Sequence, residues 1–582
     1  MSKVQRNTAP EPAKSISEVV ATLTAEGMPF EMEETTIRGI PTRVWKNAPG
    51  SLRDVLELSL GHGDLPYVVY EDERMSFREN YQRAVRLAHI LRDEYGVKKG
   101  DRVAIAMRNY PEWIVSFWAA AAAGAVVVTL NAWWTGEELE YGLSDSGTRV
   151  LILDGERVER VAPALQKLDL AGVLAVRPSD KLPAGVDNFD AVMTAASGKP
   201  DTLPEVTLSP EDDATIFYTS GTTGKPKGAL GTHRNICTNL ISAMYARAFG
   251  MLRGGETPAF MAGTEPDKTA GLLSVPLFHA TGCHSVLMTT TAMGNKLVLM
   301  YKWDPERAMQ LIERERINQF GGVPSMAWQV LESPNFGKYD LSSVQTVGYG
   351  GAPAAAELVA RIREAFPEAS TATGFTNGYG LTETSAITSM NVGVDYLRKP
   401  DSVGMPVPVC DVRIMDLDAT RELPAGDIGE LWIYGPNVIK GYWNKPEATA
   451  ESFPDGWLRS GDVARVDDEG FIYIVDRAKD MLIRGGENVY CVEVEDVLYD
   501  HGAVMDAAVF GVPDRVLGEE VAAAVQIKPG MKVSVEALRE HVAAHLAAFK
   551  VPTYIELRDE PLPRNANGKI VKRDLKEQFR AA

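Results

Sequence analysis

Residues 102–131 read RVAIAMRNYPEWIVSFWAAAAAGAVVVTLN, and how this stretch divides decides the fold. Between Glu112 and Glu137 no charged side chain occurs, and Trp113 to Leu130 is nearly all apolar, about the length of a bilayer-spanning helix. Read as one unit, it makes the chain a membrane-anchored interaction protein. Read as two, it is a buried Ala-rich helix, WIVSFWAAAAAG, then AVVVTLN, whose β-branched run suits a strand buried on both faces, with Gly124 between them. The neighbouring sequence favours the division, because RVAIAM before it and RVLILD after it continue one alternation of strand and helix. No transmembrane segment is therefore expected.

Farther out, KLVLMY, the helix after Asp304 and SVQTVGYGG extend the rhythm and predict βαβ units with a parallel sheet covered on both faces. From Asp411 to Tyr473 short strands with Gly and Pro punctuation, such as GELWIYG and GFIYIVD, predict a small antiparallel β unit. Beyond Lys479 the order strand, helix, strand, helix predicts a compact α+β module. Residues 1–50 read as an extension with a polar start, a short amphipathic pattern near Ile16 to Leu23, then mixed turns. The expected fold class is thus α/β, with a large composite domain over 51–478 and a small α+β domain over 479–582.

The chain has 582 residues, 45% hydrophobic and 24% charged, as a soluble globular protein should. Its formal charge of −19 argues against a nucleic-acid surface, which needs clustered Lys and Arg. The charge is uneven: residues 561–582 hold six Lys or Arg against two Asp or Glu, so the C-terminal tip is basic and suited to anionic ligands. Cys237, Cys283, Cys410 and Cys491 lie far apart without C-x-x-C spacing, which indicates neither zinc nor disulfides and fits a reducing cytoplasm. The opening MSKVQRNTAPEPAKS precedes no apolar stretch of secretory-signal length, so export is not expected.

Four blocks carry chemistry. YTSGTTGKPKG at 218–228 offers hydroxyls, backbone N–H groups and two lysines to a polyphosphate. It is not a P-loop, because G-x-x-x-x-G-K-[ST] starting at Gly221 needs glycine where Pro226 stands. NGYGLTETSA at 377–386 sets Tyr379, a ring able to stack on a base, four residues before Glu383, a carboxylate suited to Mg²⁺ beside phosphates. In the block at 456–495, Asp462 is suited to ribose hydroxyls and Arg477 to ribose or phosphate. PLPRNANGKIVKRDLK at 561–576 places Lys569 on a Gly-containing turn.

In this order and spacing the blocks resemble the adenylate-forming (AMP-binding) superfamily, on the acyl-CoA synthetase side, from about residue 60 to 575. The resemblance implies that Thr219, Ser220, Gly221, Thr222, Thr223, Gly224, Lys225 and Lys227 hold the β- and γ-phosphates of ATP, and that Thr382 and Glu383 meet the α-phosphate and Mg²⁺. Gly351, Ala352 and Pro353 would line the adenine pocket, Tyr379 would stack on the base, and Asp462 and Arg477 would hold the ribose. Lys569 would contact the substrate carboxylate and α-phosphate. Rotation about a hinge at Lys479 would then replace Lys569 by the loop of Gly485, Gly486 and Glu487, making room for a pantetheine arm.

Coenzyme A is the expected acceptor, since no carrier domain follows the lysine block; a stand-alone enzyme loading a carrier protein in trans is the alternative. SVPLFHATGCHS at 274–285 has His279 in an apolar setting, near where amino-acid-activating relatives place an aspartate, which implies an apolar acid such as a medium- or long-chain fatty acid. Trp133, Trp134, Met326 and Trp328 read as core residues available to an acyl channel. His541 and His545 lack the H-E-x-x-H pattern, and Cys283 reads as a small buried residue rather than a nucleophile. The assembly is left open between monomer and homodimer.

Overall fold

The structure, a computed structural model, describes residues 11–178, 181–219, 225–322, 324–350, 356–370, 374–485, 487–565 and 568–579. The apolar stretch divides at Gly124. Pro111–Ala122 is a helix of 12 residues, all buried, with proline at its first position, where the missing N–H is harmless. Gly124 then takes φ +80°, a conformation that favours glycine, and Val126–Thr129 continues as a fully buried strand. No described helix is long and apolar enough to cross a membrane.

Among the described residues the strands form five sheets. In the eight-stranded sheet, Val126–Thr129 lies between Arg102–Ala106 and Asp213–Thr219 and runs parallel to both. Lys227–Thr232 returns antiparallel beside Asp213–Thr219. In the nine-stranded sheet, Ala270–Leu273, Gln319–Gly322, Thr346–Gly350 and Phe375–Tyr379 run parallel as neighbours. The expected parallel strands are found in two mixed sheets, in which hairpin partners such as Lys227–Thr232 and Glu73–Ser76 run antiparallel. Between them, Trp113, Phe117 and Ile236 from helices meet Val127 and Ile152 of one sheet and Leu273 and Leu297 of the other in a shared apolar core.

The expected antiparallel unit is a four-stranded sheet of Asp411–Met415, Gly429–Tyr434, Leu458–Val466 and Ile472–Arg477. The C-terminal region is richer in strands than its sequence suggests. A long hairpin, Val504–Asp514 with Gly518–Ile527, is joined by Leu482–Arg484, Glu487–Val489 and Tyr554–Arg558, and helix Cys491–Tyr499 packs on it.

Near the N-terminus, helix Ile16–Leu23 starts at a capping box of Ser15 and Glu18. The residues expected to form mixed turns are instead a hairpin, Met32–Ile37 with Ile40–Trp45. Its connection, Arg38 and Gly39, has φ +52° and +84°, the mirror-image turn that matches strand twist. Phe30 and Trp45 pack against Tyr245, so this segment shares a core with helix His233–Arg253.

Candidate active site

The strand ends converge on one cavity of about 3060 Å³. Thr219 and Lys227 are register partners at the end of their hairpin, and both line the cavity. Lys227 lies over the ring of Tyr442, 5.0 Å from its centroid, and Lys225 over Tyr141 at 5.1 Å. Phe375–Tyr379 delivers Tyr379, and a short turn, Thr382–Thr384, delivers Glu383. The two residues after that turn, Ser385 and Ala386, have φ +54° and +102°. Such strain persists only where the surroundings enforce it, and here it holds the acid at the rim.

Asp462, buried in Leu458–Val466, is the hub of the polar contacts. Its Oδ2 accepts the Tyr379 hydroxyl at 2.5 Å, and its Oδ1 pairs with Arg477 Nε at 2.7 Å from the adjacent register position. Burial, then the charge of Asp462, raises the Tyr379 phenol well above its usual range, so it stays a donor. Asp462 holds Arg477 firmly charged. Glu383 Oε1 accepts the Tyr442 hydroxyl at 2.9 Å, while its other oxygen has no hydrogen bond or ion pair among the described residues.

Lys569 reaches the same cavity from the other end of the chain. Its turn is closed by Asn565, whose N–H donates to the Lys569 carbonyl at 2.9 Å. Burial lowers the ammonium to about 8; Arg477 and Lys479 push the same way, and Asp462 and Glu383 oppose them. His279 lines the cavity too, and burial reinforced by the Lys569 charge brings its imidazole to about 3, so it is neutral near pH 7.

One cavity thus collects Thr219, Lys227, His279, Tyr379, Thr382, Glu383, Asp462, Arg477, Lys479 and Lys569. Gly485 and Glu487 do not join them: they sit exposed in the small hairpin around Leu482–Arg484, outside the lining. Ser220, Gly221, Thr222, Thr223, Gly224, Gly351, Ala352, Pro353 and Gly486 lie outside the described residues. Trp134, Trp328 and Met326 are buried as expected. Trp133 corrects its reading as core: it is 46% exposed, because its neighbour alone turns into the apolar interior.

Two residues went unread in the sequence. Tyr442, in GYWN, binds Glu383; its signal was an aromatic beside glycine at a strand end. Asp476, directly before Arg477, is 1% exposed and accepts the backbone N–H of Cys491, the first residue of helix Cys491–Tyr499. Burial raises its carboxyl to about 6, against the attraction of Lys572. Cys283 is buried and its thiol is pushed up by burial, which removes it as a nucleophile. His541 Nε2 donates to the Val497 carbonyl, 3.0 Å away, and its ring packs against His545.

The sequence descriptions of an AMP-binding enzyme and of its C-terminal domain match residues 59–443 and 493–569. This chain belongs to the AMP-binding enzyme family. Among its curated relatives, the feruloyl-CoA synthase of Amycolatopsis sp is 36% identical over 505 residues, covering 87% of this chain and 94% of that protein. The long-chain-fatty-acid–CoA ligase of Bacillus subtilis (strain 168) is 34% identical over 543 residues, covering 88% and 92%. Among solved structures, the anthranilate CoA ligase AuaEII with anthranoyl-AMP superposes with a TM-score of 0.80 at 26% identity, covering 91% of this chain and 97% of that one. ATP-bound MatB from Rhodopseudomonas palustris gives 0.77 at 28% identity, covering 90% and 98%. This AMP-binding enzyme therefore has the adenylate-forming fold and falls on the acyl-CoA synthetase branch, an AMP-forming acid–thiol ligase type.

Proposed function

We propose that the chain is an ATP-dependent acid:CoA ligase acting on an apolar carboxylic acid, a medium- or long-chain fatty acid or an aromatic acid of similar polarity. The observation that carries this reading is Lys569, brought from the C-terminal region into the cavity of Glu383, Asp462, Arg477 and neutral His279. In the first half-reaction a carboxylate oxygen attacks the α-phosphorus of ATP, the bond to the β-phosphate breaks, and pyrophosphate leaves. Two anions must meet in line, so fixed cations and orientation supply most of the rate. Lys569 places its ammonium between carboxylate and α-phosphate, Asp462 and Arg477 hold the ribose with Tyr379 against the base, and the loop from Thr219 to Lys227 holds the outer phosphates.

Mg²⁺ fits beside Glu383, whose second oxygen is unengaged among the described residues. Among the described residues no group of three His, Cys, Asp or Glu side chains makes a metal cage, so phosphates and water would complete its shell. It would neutralise phosphate charge. In the second half-reaction the sulfur of coenzyme A attacks the acyl carbon, the C–O bond to phosphate breaks, AMP leaves, and the thiol proton goes to solvent. Residues 479–582 act as the moving domain with Lys479 as hinge, and Gly485, Gly486 and Glu487 enter as Lys569 leaves. The exposure of Gly485 and Glu487 outside the cavity supports an adenylation-competent arrangement here. The neutral His279 in an apolar wall supports an uncharged acyl tail.

A panel of carboxylic acids assayed for CoA-dependent AMP and acyl-CoA release tests the reading. Fatty or aromatic acids should give both products. AMP release that needs a carrier protein, or that is confined to amino acids, would overturn it.

A further inference from the structure

The basic tip of residues 561–582 uses two of its cations inside the C-terminal region, one on each side of Lys569. Upstream, Arg564 engages both arms of its guanidinium: Nη2 pairs with Asp506 Oδ2, and Nη1 donates to the carbonyl of Gly568, the residue directly before Lys569. Asp506 is buried, and its other oxygen accepts the Tyr499 hydroxyl at 2.6 Å and the Ala507 N–H at 3.0 Å, so the carboxylate has no freedom to swing away. The strand Val504–Asp514 is bulged between Val504 and Asp506, a device that re-aims the side chain that follows. Downstream, Lys572 Nζ pairs with Glu495 Oε1 at 2.8 Å, and the same oxygen accepts the Val509 N–H at 2.7 Å. Glu495 and Tyr499 are four residues apart in helix Cys491–Tyr499 and therefore share a face. The lysine segment is thus held at both ends from one face of one helix, the helix whose first N–H is accepted by Asp476.

We infer that Asp506, acting through Arg564, is a positioning residue for adenylation: it fixes the turn before Lys569 so that the ammonium meets the carboxylate and the α-phosphate together. The inference rests on the role given to Lys569 under the proposed function. An ammonium on a flexible four-carbon stem brings little order of its own, so the direction of the backbone that carries it has to be imposed. Gly568 has φ +77°, a residue type with several backbone paths open to it, and the fork of Arg564 selects one of them. Two anions held in line leave little tolerance, since a displacement of about 1 Å costs about 10²-fold in rate. Arginine suits the task because its planar fork reaches two acceptors at fixed angles, whereas a lysine in its place keeps the charge and loses the second arm.

The test measures pyrophosphate–ATP exchange and thioester formation from supplied acyl-adenylate in Asp506→Asn, Arg564→Lys and Tyr499→Phe. Asp506→Asn and Arg564→Lys should each lower kcat for exchange by about 10–100-fold, with KM for ATP and for the acid held within about twofold. Tyr499→Phe leaves the Ala507 N–H on the same oxygen and should lose only about threefold. Thioester formation should stay within about twofold of wild type in all three, a split that a folding defect would not produce. In a Lys569→Ala background, Asp506→Asn should have no further effect on exchange, because a residue that works only through the lysine has nothing left to place. Unchanged exchange in Asp506→Asn and Arg564→Lys, parallel loss of both half-reactions, a rise in KM for ATP with kcat kept, or a further loss in the double variant would each overturn the assignment. Exchange by Lys569→Ala at the wild-type rate would instead overturn the role of the lysine itself, and the inference with it.

Discussion

Raising the pH through about 8 should strip the proton from Lys569 and stop the first half-reaction while the fold stays intact. The group sits among unlike charges, but burial dominates and brings it far below an ordinary lysine. The active form is the ammonium, present below about 8 and lost above it. Because kcat/KM reports the free enzyme, the value for ATP in pyrophosphate exchange should be flat near neutrality and fall to about a tenth one pH unit above the midpoint. An unperturbed lysine would hold that plateau to about pH 10. Lys569→Arg keeps its charge throughout and should abolish the alkaline limb at a lower plateau. Lys569→Ala should cost about 10²–10³ in exchange, the usual loss for one preorganised donor, yet spare thioester formation from supplied acyl-adenylate. Isotope exchange between pyrophosphate and ATP over this range, at saturating acid, is the assay. A limb that persists in Lys569→Arg, or equal loss of both half-reactions in Lys569→Ala, would refute the reasoning.

Asp476→Ala removes the acceptor for the first N–H of helix Cys491–Tyr499 and should weaken docking of the C-terminal module by about 0.5–2 kcal/mol, the range for a lost cap. Pyrophosphate exchange should then drop by roughly tenfold with thioester formation unaffected; parallel losses in the two assays would make the residue merely structural. Gly124→Val places a branched side chain at φ +80° and a Cβ 3.0 Å from Val206 Cγ2. It should cost about 2 kcal/mol or more and lower Tm by a few degrees in a thermal melt, and an unchanged Tm would sink this account of the break between helix and strand.

The break at Gly124 was legible because three signals agree there: an Ala-rich helical half, a β-branched half and glycine between them. Tyr379, Glu383, Asp462, Arg477 and Lys569, which the structure brings to one cavity, were singled out in the sequence because each is a residue type suited to the proposed chemistry. Their convergence was not, because Lys569 lies far along the chain from His279, whose titration it shifts. The hairpin at Met32–Trp45 escaped because Arg38 and Gly39 form a mirror-image turn without the Asn-Gly pair that usually announces one. Trp133 and Trp134 are indistinguishable by composition, and only tertiary packing buries one and exposes the other. Asp476 went unread because it acts on a helix whose start no local pattern marks, with Tyr490 at the capping position.

Asp476 and Arg477 are consecutive in Ile472–Arg477, so their side chains leave the strand on opposite sides. Arg477 grips the buried carboxylate of Asp462; Asp476 grips the helix Cys491–Tyr499. Under the proposed function, the arrival or departure of nucleotide needs to be felt across no more than a single peptide unit to reach the proposed moving domain. A twist of this strand reports to both parties at once, which makes it the natural place to look for variants that bind ATP normally but alternate at the wrong tempo.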